Sequence, residues 1–191
     1  MSKVLLEGNK QFVQKVFGPE NLAKLKDGQK PHTCWIGCSD SRVPSGLITG
    51  TMAGELFVHR NIANIVPPND TAVGAVLEYA VEHLKVGQIV LCGHYGCGGM
   101  NALWKGPEKG TIVADWLKNG NAALRRVRAM EGIEKLSEAK ALRLLVEENL
   151  RVQREHLLRY SFVRDAVKKE RLLINVVVYD IATGKLKELK K

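Results

Sequence analysis

Cys34-Trp35-Ile36 running into Gly37-Cys38-Ser39-Asp40-Ser41-Arg42 decides the fold, together with its counterpart, Ile89-Val90-Leu91-Cys92 running into Gly93-His94-Tyr95-Gly96-Cys97-Gly98-Gly99. Each apolar run reads as a buried strand, and each ends at a glycine with soft metal ligands close behind it. Open α/β sheets bind ligands there, in the crevice past the carboxyl ends of their strands. Cys38, His94 and Cys97 make a two-sulfur, one-nitrogen set that suits zinc and leaves a fourth tetrahedral position for water or a side chain. Asp40 and Arg42 come two and four residues after the first thiolate. The pattern points to a zinc enzyme that makes hydroxide.

Outward from these stretches, the chain alternates strands and helices. Residues 55–60 read as a second strand after a turn-rich connection over 43–54, which holds Pro44, Gly46, Gly50 and Gly54. Asn69 or Asp70 can cap a helix over 71–84, with Val73, Val76, Leu77, Ala80 and Leu84 on one side. A helix opens at Gly96 to Leu103, residues 104–133 are less legible, and 134–159 has a long helical pattern. Leu172 to Tyr179 is a strong strand, and Ile181-Ala182-Thr183-Gly184 turns into a last strand over 185–189. Upstream, residues 3–17 place Val4, Leu5, Phe12, Val13 and Val16 on a helix face that Gly18-Pro19 stops, and Glu20 to Lys26 form a second short helix. That first helix precedes any strand it could cover, so it lies either on its own domain or on a partner subunit. The order predicts one α/β domain over residues 1–191. Its central sheet is mostly parallel, about four parallel strands plus an antiparallel edge strand, flanked by helices and with a projecting N-terminal helix.

At 191 residues, 45% hydrophobic and 26% charged, the chain has the composition of an ordinary globular domain. It holds no apolar run long enough for a membrane span, and its N-terminus lacks the pattern of a secretory signal. A cytoplasmic protein is expected. The net charge of +9 is concentrated late: residues 1–120 carry 12 Lys/Arg against 10 Asp/Glu, whereas 121–191 carry 17 against 10. The late excess is interleaved with Glu at helical spacing, which reads as a solvated face laced with ion pairs rather than a nucleic-acid surface. Cys34 and Cys92 sit inside apolar runs and read as core.

The ligand spacing excludes several simpler readings. Cys38 and His94 are 56 residues apart, too far for a zinc finger. Cys38-x3-Arg42 is not the Cys-x5-Arg loop of a phosphate-cleaving thiol enzyme, and His94-x-x-Cys97 is not a redox Cys pair. Asn101 stands where a dinucleotide-binding loop needs its last glycine. Two thiolates and an imidazole neutralise zinc, so bound water loses its proton less readily than at a site of three imidazoles. A carboxylate beside the metal would then orient that water. Asp40 is placed to do so, with Arg42 holding it ionised through a fork-like pair. The duller reading of Asp40 and Arg42 is a structural ion pair.

Cys38-x-Asp40-x-Arg42 with His94-x-x-Cys97 resembles the β-class carbonic anhydrases. So do Gly54-Glu55-Leu56-Phe57 and Arg60-Asn61-Ile62-Ala63-Asn64, and the likeness covers residues 29–103 with a fitting strand near 172–179. The resemblance implies one zinc per subunit on Cys38, His94 and Cys97, with an Asp40–Arg42 dyad organising the metal's water. It implies reversible hydration of CO2 to bicarbonate and a proton by attack of zinc-bound hydroxide. It further implies a CO2 pocket of Gln29, Phe57, Ile62, Tyr79 and Gly98, with Ile62 where many members carry Val. Members assemble as dimers or larger, often through N-terminal helices, which implies a homodimer or homotetramer with residues 1–27 as an arm at the dimer interface. Nothing in the sequence selects a proton shuttle among His32, His59 and His83.

Some bacterial members of this family close the site at lower pH, with the Asp on zinc and a regulatory bicarbonate nearby. Trp35, Arg60 and Tyr179 match the positions that hold that bicarbonate, which predicts such a closed state here. The alternative is a core Trp, a structural Arg and a strand Tyr around a permanently open site. Relatives on the same scaffold hydrolyse CS2 or COS with the same ligands, and a non-catalytic zinc or anion-binding protein is a further class that intact Asp40 and Arg42 argue against.

Overall fold

Four parallel strands form the centre of the protein, seen in a computed structural model that describes residues 2–190. They are β1 (Thr33–Cys38), β2 (Leu56–Asn61), β3 (Gln88–His94) and β4 (Leu173–Asp180), in the spatial order β2-β1-β3-β4. A short strand, β5 (Lys185–Glu188), pairs antiparallel with β4 and closes that edge. Its four residues are all exposed and three are charged, which blunts the edge against further pairing. The chain builds outward from β1 to one side and from β3 to the other. The two strands that end in metal-ligand candidates therefore lie side by side at the topological switch point, with Gly37 opposite Cys92.

Alternation along the strands divides the two faces. Cys34, Ile36, Ile89, Leu91, Val176 and Val178 face the main core, where they meet helices α4 (Thr71–Glu78) and α8 (Glu138–Leu157). Trp35, Cys92 and Tyr179 face the other way and cluster with Val43. Asp70 caps α4, its carboxylate accepting from Val73 N–H at 2.8 Å. Past Glu78 the chain widens into a π-helical turn, Tyr79–His83, rather than running on as the regular helix predicted to 84.

Helix α8 is the main buttress. It buries Leu145, Leu150 and Leu157 completely, and Leu150 lies against the backbone of Gly93. It also buries Asn149 and Gln153, which is affordable because both are bonded: Gln153 Oε1 accepts from Val66 N–H at 2.8 Å, and Asn149 Nδ2 donates to Ala63 O at 3.2 Å.

Several elements differ from the sequence expectation. The connection over 43–54 contains a one-turn helix, α3 (Ser45–Thr49), which ends at Gly50 in the left-handed region. Residues 104–133 follow α5 (Gly98–Lys105) with two helices, α6 (Ile112–Leu117), capped by Thr111, and α7 (Asn121–Arg128). Helix α9 (Ser161–Lys168) fills the stretch before β4 that carried no assignment.

Residues Met1–Lys30 form a compact unit of their own. Helix α1 (Ser2–Gln11) passes through a π-helical segment, Phe12–Phe17, into α2 (Gly18–Leu25). Gly18-Pro19 breaks the helix where the sequence predicted a stop and starts the second one: Gly18 takes φ 70° and Pro19 occupies the first turn, where its missing N–H costs nothing. Phe12 and Phe17 stack at 5.3 Å. The Val16 side chain, assigned by its sequence spacing to the apolar face, lies outside what is described.

A methyl group on Gly93 would stand 3.0 Å from Leu150 Cδ1. Leu150→Ala is expected to cost about 2–5 kcal/mol, and Gly93→Ala to be less damaging in the Leu150→Ala background than alone. Urea denaturation of the four species in a double-mutant cycle checks both expectations.

Candidate metal centre

Strands β1 and β3 deliver Cys38 and His94 as their last residues, and a glycine turn brings Cys97 back beside them. Gly96 makes that turn possible, since its φ of 72° is strained for any residue with a side chain. The ligand atoms of Cys38, His94 and Cys97 lie within 4.8 Å of one another, and all three residues are buried. Cys38 Sγ and Cys97 Sγ are 4.0 Å apart. Two sulfurs bound tetrahedrally to one zinc stand about 3.8 Å apart, given Zn–S bonds of about 2.3 Å. His94 is fully buried; its Nδ1 is 3.1 Å from Tyr95 O, and its Nε2 has no hydrogen-bond partner among the described residues. With the proton on Nδ1 donated to that carbonyl, the Nε2 lone pair faces the sulfurs, as a metal-binding imidazole requires. The residues present fit zinc.

The backbone prepares the sulfurs for the same role. Cys38 is drawn down to about 4, first by the hydrogen bond from Cys97 and then by His94 and the N–H groups of Asp40 and Ala63, against the opposing effect of burial. Cys97 caps α5, and the N–H groups of Gly99 and Met100 favour its thiolate, but donation to Cys38 and burial raise it. The opposite directions reflect one coupled pair, in which Cys38 is the sulfur favoured as thiolate. Cys34 and Cys92 differ: burial pushes both thiols up to about 12, which makes them inert core groups.

Asp40 stands at the edge of this cluster, with Oδ2 3.7 Å from His94 Nε2. Arg42 grips it by a fork, Nε to Oδ1 at 2.9 Å and Nη2 to Oδ2 at 2.6 Å, and its own N–H donates to Oδ1 at 3.0 Å. This grip holds the Asp40 carboxyl well below the usual carboxylate range. Arg42 Nη2 also reaches Gly96 O at 3.2 Å, tying the loop after β1 to the loop after β3. Arg60, on β2, donates to Cys38 O at 2.8 Å and to Asp40 O at 2.5 Å. It thereby fixes the backbone on both sides of Ser39.

The remaining candidates fall into smaller groups. Phe57 and Tyr79 pack ring to ring at 5.7 Å, and Tyr79 stacks on His83 at 5.3 Å. Ile62 lies on the first turn of α5, where a Cβ on Gly99 would be 3.1 Å from its Cγ2; Gly98 opens the same turn and faces free space. Gln29 belongs to the N-terminal unit. Trp35 and Tyr179 share one small cluster, and Arg60 is committed to the two carbonyls above.

Three contributors escaped the sequence reading. Ala63 and Asn64 both take positive φ, 63° and 49°, in a turn held by Asn61, whose side chain bonds both the N–H and the carbonyl of Ile65. Trp116 on α6 donates Nε1–H to Ile62 O at 2.8 Å. Tyr95, next to a ligand, is anchored by its hydroxyl to Glu147. Of these, Ala63 and Asn64 stood in a family-like string and Tyr95 beside His94, without a role for either; Trp116 carried no signal.

Comparison with known proteins agrees with this geometry. A family model described as carbonic anhydrase matches residues 33–186. A carbonic anhydrase of Emericella nidulans is 38% identical over 189 residues, covering 97% of this chain and 82% of the relative. The β-carbonic anhydrase CafA of Aspergillus fumigatus superposes with a TM-score of 0.90 at 36% identity, covering 99% of this chain and 90% of that one. A tetrameric β-carbonic anhydrase of Sordaria macrospora gives 0.84 at 36%, covering 100% and 94%. The chain belongs to the β-carbonic anhydrases, a family of enzymes.

Zinc uptake tests the ligand set. Elemental analysis is expected to find one zinc per wild-type chain, retained in Cys34→Ala and Cys92→Ala but lost in Cys38→Ser, Cys97→Ser and His94→Gln.

Proposed function

We propose that the protein catalyses the reversible hydration of CO2 to bicarbonate and a proton, with one zinc per chain on Cys38, His94 and Cys97. The observation that carries this reading is the Asp40 carboxylate, forked by Arg42 and set 3.7 Å from the buried His94 nitrogen. When bound, zinc supplies the Lewis acidity that lowers the pKa of a water molecule. Asp40 then has one task, to accept that water's hydrogen bond at Oδ2 and aim its oxygen at the carbon of CO2. Arg42 keeps Asp40 ionised and fixed in orientation. Phe57, Ile62, Tyr79 and the open backbone of Gly98 supply mostly apolar walls for an apolar gas.

The chain's assembly belongs to the same proposal. Val4, Leu5 and Leu6 of α1 are 73%, 74% and 64% exposed, and the N-terminal unit is read as a dimer arm. A homodimer or homotetramer is expected by light scattering, with deletion of residues 1–27 shifting the mass toward the monomer. No described helix is long and apolar enough to cross a membrane.

A gated form is the second reading, favoured by the position of Arg60. Its guanidinium holds the Asp40 carbonyl and lies on the sheet face of Trp35 and Tyr179. Bicarbonate captured by these three residues would draw Arg60 off that carbonyl and free Asp40 to move from Arg42 to the metal. In the structure Asp40 is on Arg42, the open arrangement.

The deciding measurement is the CO2 hydration rate from about pH 6.5 to about pH 9.5 on protein of known zinc content. Asp40→Ala is expected to lower kcat/KM by about 100-fold with zinc retained; an unchanged rate removes the dyad from the mechanism. A gradual pH profile fits a permanently open site. A collapse below about pH 8, deepened by bicarbonate with zinc still bound, fits the gate. Zinc-loaded protein that hydrolyses CS2 or COS but leaves CO2 untouched reassigns the substrate, and one that turns over none of them is a binding protein.

A further inference from the structure

The ligand His94 depends on its neighbour for its orientation. Its Nδ1–H has one acceptor, the carbonyl of Tyr95, so the direction of that carbonyl sets both the tautomer and the tilt of the ring. A carbonyl is aimed by the torsions of its own residue, and the residue that follows, Gly96, has the widest torsional freedom of any. Something other than the chain downstream must hold Tyr95.

Three anchors do so. The Tyr95 N–H donates to Tyr179 O at 3.0 Å, at the end of β4. The Tyr95 hydroxyl donates to Glu147 Oε1 on α8 at 2.6 Å. The ring face carries the Arg143 guanidinium, whose Cζ is 3.5 Å from the ring centroid. Arg143 in turn reaches Asp180 Oδ2 at 3.2 Å, one residue past the carbonyl that receives the Tyr95 N–H. The ring is thus clamped between α8 and the end of β4.

We propose that Tyr95, clamped by Glu147 and Arg143, is a positioning residue that presents the His94 imidazole to zinc. None of these three side chains is a metal ligand or part of the dyad. They act through a single backbone carbonyl, and the inference rests on the zinc reading of Cys38, His94 and Cys97. Packing alone would make the same cluster matter for stability while leaving metal affinity untouched. The two roles therefore separate experimentally.

The test measures zinc Kd by competition with a chromophoric chelator, alongside the visible spectrum of the cobalt-substituted protein. Tyr95→Phe and Glu147→Ala are expected to weaken zinc by about tenfold or more and to shift the cobalt bands. Glu147→Gln, whose amide oxygen still accepts from the hydroxyl, is expected to recover most of the loss. Leu157→Ala, a core truncation at the other end of α8, serves as a control that lowers stability without changing Kd. Tyr95→Phe and Glu147→Ala proteins with wild-type Kd and spectrum, or losing no more affinity than the Leu157→Ala control, overturn the proposal. A wild-type chain that takes up no zinc overturns the metal reading itself, a result distinct from wild-type uptake with unaltered variants.

Discussion

A buried imidazole nitrogen with no protein partner is costly, by about 1–3 kcal/mol for a lost hydrogen bond. His94 carries such a nitrogen, fully enclosed, with its lone pair facing two sulfurs. Those sulfurs are under a related constraint, since two thiolates cannot lie 4.0 Å apart without a proton or a cation between them. A divalent ion bound there would relieve all three groups at once. The arrangement around them follows from that need: strands that end at the ligands, glycines that let the loops close, and arginines that fasten the backbone.

Arginine does the fastening because the loops offer several carbonyls and a carboxylate to one side chain. Arg42 uses its planar fork on Asp40 and a further N–H on Gly96, joining the loops after β1 and β3. Arg60 spans the carbonyls of Cys38 and Asp40. A lysine, with one compact ammonium, could not satisfy either pattern. The late basic residues behave differently. Arg126 bridges Glu148 and Glu155, and Arg151 meets Glu147 and Glu148 on the same helix, the mixed ion-paired surface that helical spacing implies.

The centre of the sheet was legible because β1 and β3 are short, mostly apolar runs, and parallel strands buried on both faces leave such runs in the sequence. The candidate ligand cluster was legible because cysteine and histidine at the carboxyl ends of two such strands have few other uses. Helices α6 and α7 were not. They are six and eight residues long, Gly120 stands between them, and α7 is rich in arginine, so burial of Leu117, Ala123 and Val127 by tertiary contact outweighs a weak local pattern. Helix α3 was hidden by the glycines and proline around it. Within the site, Trp116 gave no local sign and the string holding Ala63 and Asn64 did not reveal its left-handed turn, because each takes its meaning from a residue more than 50 positions away: Trp116 from Ile62, and Ala63 from Asn149.

The strand order also bears on when the metal can arrive. Cys38 closes the first strand and His94 the third, and the two meet only after the β2 excursion and α4 have been laid down between them. No contiguous piece of chain holds the three ligands at chelating distance. Such distant pairings form late, because their loop-closure entropy comes due before any contact rewards it. The three candidate ligands therefore come together only on a finished sheet, once the two halves of the chain have found each other.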